Sequence, residues 1–102
     1  MAAYRIDFSP EAEAQLVALY RHIAREASPA TAQRFTDAIV ARCESLDQMP
    51  RQGTPRDDLR AGLRTLSFRR RVVIAYTVEA ASVAIIGIYY GGQDFATLLR
   101  DE

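Results

Sequence analysis

The sequence predicts an α+β fold with the element order β-α-α-β-β-β, in which a helical hairpin packs on one face of a small, mostly antiparallel four-stranded sheet. Three observations support this prediction. An alternating apolar and polar segment opens the chain, two Ser-Pro pairs each begin a segment with helical spacing, and three β-rich runs follow near its end. The 102 residues, about half of them apolar, fit a single domain over residues 1–102 with a short tail from about residue 93.

The first strand and the first helix follow one another directly. Tyr4, Ile6 and Phe8 alternate with polar residues, which is the period of a half-buried strand. Ser9 then supplies a capping hydroxyl, and Pro10 suits the first position of a helix. The apolar stripe of this helix recurs at three- and four-residue steps and consists of Leu16, Leu19, Tyr20, Ile23 and Ala27.

A second helix is predicted to begin at Ser28-Pro29. The residue before a proline is disfavoured in the helical region, while a serine there caps the helix that follows. Helical spacing continues to about Met49, and Pro50 ends it. So short a link between two helices predicts a helical hairpin. The positions that carry the spacing are Phe35, Ala38, Ile39, Arg42, Cys43 and Leu46.

The chain after the second helix begins with a loop and continues with three strands. Residues 50–62, PRQGTPRDDLRAG, contain two prolines and two glycines, which predicts an ordered loop without a core of its own. Strands are expected over residues 63–68, 71–78 and 82–90, because these runs are rich in β-branched and apolar residues. The short links between them predict an antiparallel meander.

The last predicted strand is apolar on both faces. Strict alternation divides its side chains into two sets, the first of which is Ile86, Ile88 and Tyr90. The second set is Val83, Ile85 and Tyr89. One helical layer covers only one face of a sheet, so the other face is left for the tail residues Phe95, Leu98 and Leu99 or for a partner protein.

Composition excludes several classes of protein. The longest apolar run, residues 83–90, is shorter than the roughly 20 residues of a membrane helix, and no export signal opens the chain. We therefore expect a cytoplasmic protein without membrane contact. Cys43 and His22 are each the only residue of their type, which predicts a buried small side chain and a helix-surface imidazole rather than a disulfide or a metal site. No cofactor is expected.

The charges are segregated, although the formal net charge is zero. Seven arginines lie from Arg51 to Arg71, against only two acids. This predicts a basic patch in the middle of the chain, beside Tyr89 and Tyr90 at one end of the sheet. All thirteen basic residues are arginines, and guanidinium recognises carboxylate or phosphate in a bidentate manner that ammonium does not match.

Four phrases of the sequence carry a family resemblance. They are FSPEAEAQL at the start of the first helix, the SP and RF of SPATAQRF in the second, MPRQGTPRDDLRAGLRTL in the loop, and IIGIYYGGQD at the end of the last strand. Through them nearly the whole chain resembles the ParE side of the RelE/ParE superfamily, the toxins of bacterial type II toxin-antitoxin modules. The resemblance implies a small α+β toxin that a ParD-like antitoxin neutralises. Characterised ParE proteins act on DNA gyrase, whereas RelE relatives cleave mRNA on the ribosome.

The chain departs from the family at its closing strand, where the family often has a pattern like R-V-x-H-G-x-R-D. Gly91 and Asp94 fit that pattern, but Gly87, Tyr90 and Gln93 take the places of its basic and imidazole groups. RNA cleavage needs a proton acceptor, a proton donor and a cation. Arginine is a poor base, no lysine is present, and a tyrosine acid needs a lowered pKa. We therefore assign no catalytic residue.

The remaining candidates are protein contacts. Contact with the target or the antitoxin is predicted for Arg60, Arg64, Arg69, Arg70, Arg71, Tyr89 and Tyr90. A groove between hairpin and sheet, able to take an antitoxin helix, is predicted at Leu16, Tyr20, Phe35 and Ile39. For Arg69–Arg71, a solvated hairpin turn that protects the sheet edge is an equally good interpretation.

Three functions remain open. The first is a toxin that binds DNA gyrase and forms a hetero-oligomer with its antitoxin, without sequence-specific contact to nucleic acid. The second is a ribosome-dependent endoribonuclease of RelE type. The third is a non-toxic relative that still binds an antitoxin.

Overall fold

A five-stranded mixed sheet carries two helices, and the computed structural model describes residues 3–91 of the chain. The elements are β1 (Arg5–Phe8), α1 (Pro10–Glu26), α2 (Pro29–Glu44), a 3₁₀ turn (Ser45–Asp47), β2 (Thr54–Pro55), β3 (Leu63–Phe68), β4 (Val72–Val78) and β5 (Ser82–Tyr90). The strand order is β1-β5-β4-β3-β2, with β1 parallel to β5 and the other pairs antiparallel. The α+β fold is as predicted, but the sheet has five strands rather than four.

Both helices begin at the predicted serine-proline pairs. The Ser9 hydroxyl accepts a hydrogen bond from the Ala12 amide at 3.0 Å. The Ser28 hydroxyl accepts one from the Thr31 amide at 3.1 Å. Each bond satisfies an amide that has no partner inside its helix. α2 ends earlier than the predicted Met49, where the Ser45 hydroxyl donates to the Arg42 carbonyl at 2.6 Å and the chain tightens into the 3₁₀ turn.

The extra strand, β2, lies inside the predicted loop. Thr54 pairs with Thr65 and Pro55 with Arg64, at the outer edge of the sheet. An edge strand tolerates proline, because only one side of it bonds to a neighbour. The loop has no apolar cluster of its own among the described residues, but its Leu59 is 8% exposed and packs against the cluster formed by the strands.

A bulge in β5 changes which side chains face the helices. Ala75 of β4 pairs with Gly87, but the next residue pairs with Ile85, so that Ile86 is the additional residue. The alternation therefore reverses, and Ile85 and Ile88 both pack in the core beneath the helices. The predicted grouping of Ile86 with Ile88 was wrong, because Ile86 packs with the cluster on the other face.

Two apolar clusters result, one on each face of the sheet. The main core joins helices and strands through Ala12, Leu19, Ile39, Cys43, Leu46, Val72, Ile74, Tyr76, Val83, Ile85 and Ile88. The smaller cluster consists of Leu59, Leu63, Ala75 and Tyr89, with Val73 and Ile86 packed against it. The prediction that Phe95, Leu98 and Leu99 cover this second face lies outside the described residues.

Where β1 ends, side chains at the start of α1 continue the hydrogen bonding along the edge of β5. β1 pairs with β5 only as far as Ile85. Beyond that point the Ser9 hydroxyl donates to the Ile86 carbonyl at 3.4 Å, and the Gln15 side-chain oxygen accepts from the Ile88 amide at 2.7 Å. These side chains satisfy backbone groups that a longer β1 would have paired. Within residues 3–91, none of the helices is both long and apolar enough to cross a membrane.

Candidate functional site

The seven arginines of the predicted basic patch lie at two ends of the sheet. β3 separates them, and its six residues span about 20 Å. Arg51, Arg56, Arg60 and Arg64 precede or begin this strand, and we call this region, with the loop from residue 49 to 62, the loop end. Arg69, Arg70 and Arg71 follow the strand in the turn to β4, which we call the turn end. One continuous basic patch is therefore not formed.

At the loop end, Arg64 is bonded to the protein itself. One guanidinium nitrogen donates to the Arg51 carbonyl at 2.9 Å and to the Gly53 carbonyl at 2.7 Å. The Gly53 amide donates to the buried Tyr76 hydroxyl at 2.8 Å. A Cβ at Gly53 would lie 2.5 Å from that hydroxyl and 2.9 Å from the Thr65 carbonyl. The loop is thus fastened to the sheet at a point where only glycine fits.

Two buried side chains near the loop end, Tyr76 and Cys43, titrate at alkaline pH. Burial raises the pKa of Tyr76 above its ordinary value, against the opposing effects of the Gly53 bond and of Arg64 and Arg42. Burial also raises the pKa of the Cys43 thiol to about 12, so this thiol is not a nucleophile at neutral pH. Both groups serve packing.

At the turn end, the chain reverses through a strained hairpin. The Arg71 amide donates to the Phe68 carbonyl at 3.1 Å, which closes a four-residue turn. Its two central residues, Arg69 and Arg70, have φ values of 51° and 60°. Glycine and asparagine favour this left-handed region, and an L-residue with a long side chain loses about 1 kcal/mol or more there.

A row of rings lies beneath this turn. The Arg69 guanidinium carbon is 4.9 Å from the centre of the Phe68 ring and 5.8 Å from that of Phe35, within cation–π range. Phe35 packs edge-on against Phe68 at 5.9 Å and against Tyr90 at 6.2 Å. His22 lies 5.8 Å from Tyr90. The charge of Arg69 is therefore held over aromatic rings.

A pocket of about 260 Å³, the turn-end pocket, opens beside these rings. The residues that bear on its chemistry are His22, Glu26, Ala27, Phe35, Arg71 and Tyr90. Arg71 is exposed, and its side chain makes no hydrogen bond or ion pair within residues 3–91. The structure thus brings Arg69, Arg70, Arg71 and Tyr90 together, as predicted for the basic corner.

Tyr89 does not belong to this corner. It points to the opposite face from Tyr90, is 4% exposed and packs in the smaller cluster. A Cβ at Gly87 would lie 2.5 Å from the Tyr89 ring, so the tyrosine fills the space that a side chain at 87 would need. Arg60 and Arg64 also lie away from the corner, at the loop end.

A second, apolar groove of about 340 Å³ lies between α1 and α2. Its lining consists of Leu16, Val17, Tyr20, Arg21, Thr36, Asp37 and Val40, all from the two helices. Of the predicted groove residues, Leu16 and Tyr20 line it, whereas Ile39 is fully buried in the core and Phe35 belongs to the turn-end pocket. The groove is thus between the helices, not between hairpin and sheet.

Val17 and Val40 line this groove, which we call the helix groove, and neither was predicted from the sequence. Val17 is 49% exposed, which is unusual for a large apolar side chain and gives the groove an accessible wall. Each valine directly follows a residue of the main apolar stripe, Leu16 or Ile39. An apolar residue beside the stripe makes the apolar face of the helix wider than the core requires. This extra width was the feature of the sequence that could have predicted the groove.

The two surfaces differ in chemistry. The helix groove is apolar, with one arginine and one aspartate at its rim, whereas the turn-end pocket combines aromatic walls with an exposed guanidinium. No group of three or more side chains suited to hold a metal ion occurs in the part of the chain that the structure describes. Both surfaces have the composition of sites that bind protein segments.

Comparison with known proteins gives a family and similar solved structures. Residues 6–95 match the family model described as ParE toxin of type II toxin-antitoxin system, parDE. No curated protein matches the chain. The chain is similar to a structure described as the chromosomal ParDE TA system from P. aeruginosa, with 26% sequence identity and a TM-score of 0.77. That similarity covers 87% of this chain and 97% of the other.

Proposed function

Because the chain belongs to the ParE toxin family of type II toxin-antitoxin systems, we propose that it arrests growth by binding DNA gyrase in the cytoplasm and that a ParD-like antitoxin neutralises it. The observation that carries this proposal is the family match over residues 6–95, which extends from β1 to beyond β5. The similar P. aeruginosa structure, described as a ParDE system, supports an antitoxin partner.

The helix groove is the proposed binding site of the antitoxin. Its opening between two helices, with Leu16, Val17 and Tyr20 on one side and Val40 on the other, suits the apolar face of an amphipathic helix. Such a helix buries anchors at i, i+3, i+4 and i+7. Toxin and antitoxin then form a hetero-oligomer, and the toxin makes no sequence-specific contact with nucleic acid.

Toxicity is tested by inducing the protein without its antitoxin. We expect filamented cells with halted DNA synthesis, and inhibition of gyrase supercoiling by the purified protein. Co-expression of a cognate ParD-like antitoxin should restore growth. Normal growth on induction, with the protein present in soluble form, would rule out the toxin function.

The endoribonuclease alternative is favoured by one observation, the exposed arginines beside Tyr90 at the turn end. Mapping of transcript 5′ ends after induction separates it from the gyrase proposal. New cleavage sites within codons, with unaffected supercoiling, would select the nuclease. Antitoxin binding without any growth phenotype would instead select the non-toxic relative.

A further inference from the structure

The lining of the turn-end pocket suits a ligand that carries one charged and one apolar group. Its walls are apolar and aromatic, formed by Ile23, Ala27, Phe35 and Tyr90. Arg71 contributes a guanidinium at the pocket, and α1 adds the polar side chains of His22 and Glu26. A carboxylate beside an apolar side chain matches this arrangement, because guanidinium bonds a carboxylate in bidentate geometry while the walls take the apolar part.

Arg69 and Arg71 of the turn have different roles. Arg69 is stacked over Phe68 and Phe35 and so holds the turn against the rings. Arg71 is the cation that the pocket presents. Its backbone is fixed on both sides, because its amide donates to the Phe68 carbonyl and its carbonyl accepts from the Gly91 amide at 2.9 Å. Because the backbone is already fixed, only the freedom of the Arg71 side chain remains to be lost on binding.

A protein segment fits the pocket better than a nucleic acid does. Base stacking needs open ring faces, but Phe35 and Phe68 meet edge to face, and the Arg69 guanidinium lies over both rings. The Glu26 carboxylate lines the same pocket and repels a chain of phosphates. A single carboxylate carries only one charge, so it meets less of this repulsion than a chain of phosphates does, and the Arg71 guanidinium offsets it.

The two surfaces suit two different partners. An antitoxin must keep the toxin silent over long periods, and slow dissociation comes from buried apolar surface such as the helix groove provides. A target must be found quickly by a toxin that has just been released, and exposed charge mainly raises the association rate. The apolar groove therefore fits the antitoxin, and the charged pocket fits the target.

We propose that the turn-end pocket is the contact of this toxin with its cellular target, and that it receives a segment of the target protein in which a carboxylate flanks an apolar side chain. This inference rests on the proposed function, namely that the protein is a toxin. It adds that antitoxin and target occupy different surfaces, so that the residues of the pocket are needed for toxicity and not for neutralisation.

A charge reversal at Arg71 separates the two surfaces. We expect Arg71→Glu to raise the inducer concentration needed for growth arrest by about tenfold or more, while the Kd for the purified cognate ParD-like antitoxin changes less than about twofold. Arg51→Glu is the matched control, because it makes the same charge change on an exposed side chain at the loop end. It should leave both quantities unchanged.

A second variant fills the pocket without removing a bond. Ala27 is exposed at the pocket, and Ala27→Phe places a ring in the space proposed for the apolar group. We expect a loss of toxicity with retained antitoxin binding, which also shows that the variant is folded. Ala14→Phe, at another exposed alanine of α1, is the control and should remain toxic.

Each other outcome has a definite meaning. A parallel loss of toxicity and antitoxin affinity in both variants would assign the pocket to the antitoxin and overturn the proposal. Unchanged toxicity in both would show that the pocket contacts no target. Binding of fluorescent single-stranded RNA or DNA that Arg71→Glu abolishes would make the occupant a nucleic acid. A wild-type protein that does not arrest growth would refute the proposed function itself.

Discussion

The loop end and the turn end of the sheet both carry arginines, and they use them in opposite ways. At the loop end, the Arg64 guanidinium donates to two backbone carbonyls and fastens the loop to β3. At the turn end, the backbone adopts left-handed conformations at Arg69 and Arg70, and the Arg71 guanidinium makes no bond to residues 3–91. At the loop end the guanidinium is hydrogen-bonded within the protein. At the turn end the guanidinium is open to a group of another molecule.

The role of an arginine is therefore set by the groups around it. A guanidinium whose bonds are filled by the protein contributes to folding stability. A guanidinium without such bonds is available to a carboxylate of another molecule. Substitutions at the loop end should therefore change stability, whereas those at the turn end should change recognition.

The strongest test of the loop end is Gly53→Ala. The added Cβ would meet the Tyr76 hydroxyl and the Thr65 carbonyl, neither of which can move without breaking a bond. We expect a loss of about 3 kcal/mol in the free energy of unfolding, measured in urea. Gly62→Ala is the control: its φ is 78° but its surroundings are open, so only backbone strain of about 1 kcal/mol applies. Equal losses in both variants would contradict the tight fit at Gly53.

Arg64→Met tests the structural role of that arginine directly. The methionine keeps most of the apolar stem but leaves the Arg51 and Gly53 carbonyls without their donor. We expect a loss of about 2 kcal/mol in unfolding free energy. Arg51→Met should change stability by less than about 0.5 kcal/mol, since the bonded group there is the backbone carbonyl. If Arg64→Met were as stable as wild type yet not toxic, Arg64 would be a recognition residue instead.

Alkaline pH should weaken the interior near the loop end. The folded-state pKa of Cys43 is about 12, above its ordinary 9.0, and that of Tyr76 is also raised. For a group that is buried in its neutral form, stability is complete below the unfolded pKa and is lost as pH rises from the unfolded value towards the folded one. We expect unfolding free energy to fall by about 1 kcal/mol between pH 8 and pH 10, and Cys43→Ala to remove most of this fall. An equal fall in Cys43→Ala would refute the assignment.

The smallest expected effect is a gain at the turn end. Arg70→Gly places the residue suited to a φ of 60° at that position and should raise Tm by about 5 °C. Toxicity should persist, because Arg71 and the pocket remain. Arg51→Gly removes an arginine where φ is not positive, so it should give no such gain. A loss of toxicity in the stabilised Arg70→Gly variant would extend the contact beyond the pocket.

Local chemistry allowed much of the fold to be predicted. Ser9 and Ser28 cap their helices as expected, because a capping hydroxyl and a following proline act within a few residues. Tyr89 and Tyr90 lie on opposite faces, since neighbours on a strand must. The corner formed by Arg69–Arg71 and Tyr90 followed from the short hairpin between β3 and β4.

What depends on distant partners could not be predicted. The bulge at Ile86 is fixed by register with β4 and by the bond from Ser9, which lies 77 residues away. β2 was hidden because a proline argues against a strand unless its edge position is known. Arg64 looked like part of a basic patch because the carbonyls that occupy it lie 11 and 13 residues away in sequence.

The parallel pairing of β1 with β5 has a consequence for the newly made protein. β5 is the last of the described strands to be synthesised, yet it lies between β1 and β4 in the sheet. Arg5 pairs with Ser82, so at typical rates of synthesis the first strand waits roughly 4 to 15 seconds for its neighbour. Tyr90, a wall of the turn-end pocket, arrives later still. A nascent chain therefore has no assembled turn-end pocket until β5 has been made and has paired between β1 and β4.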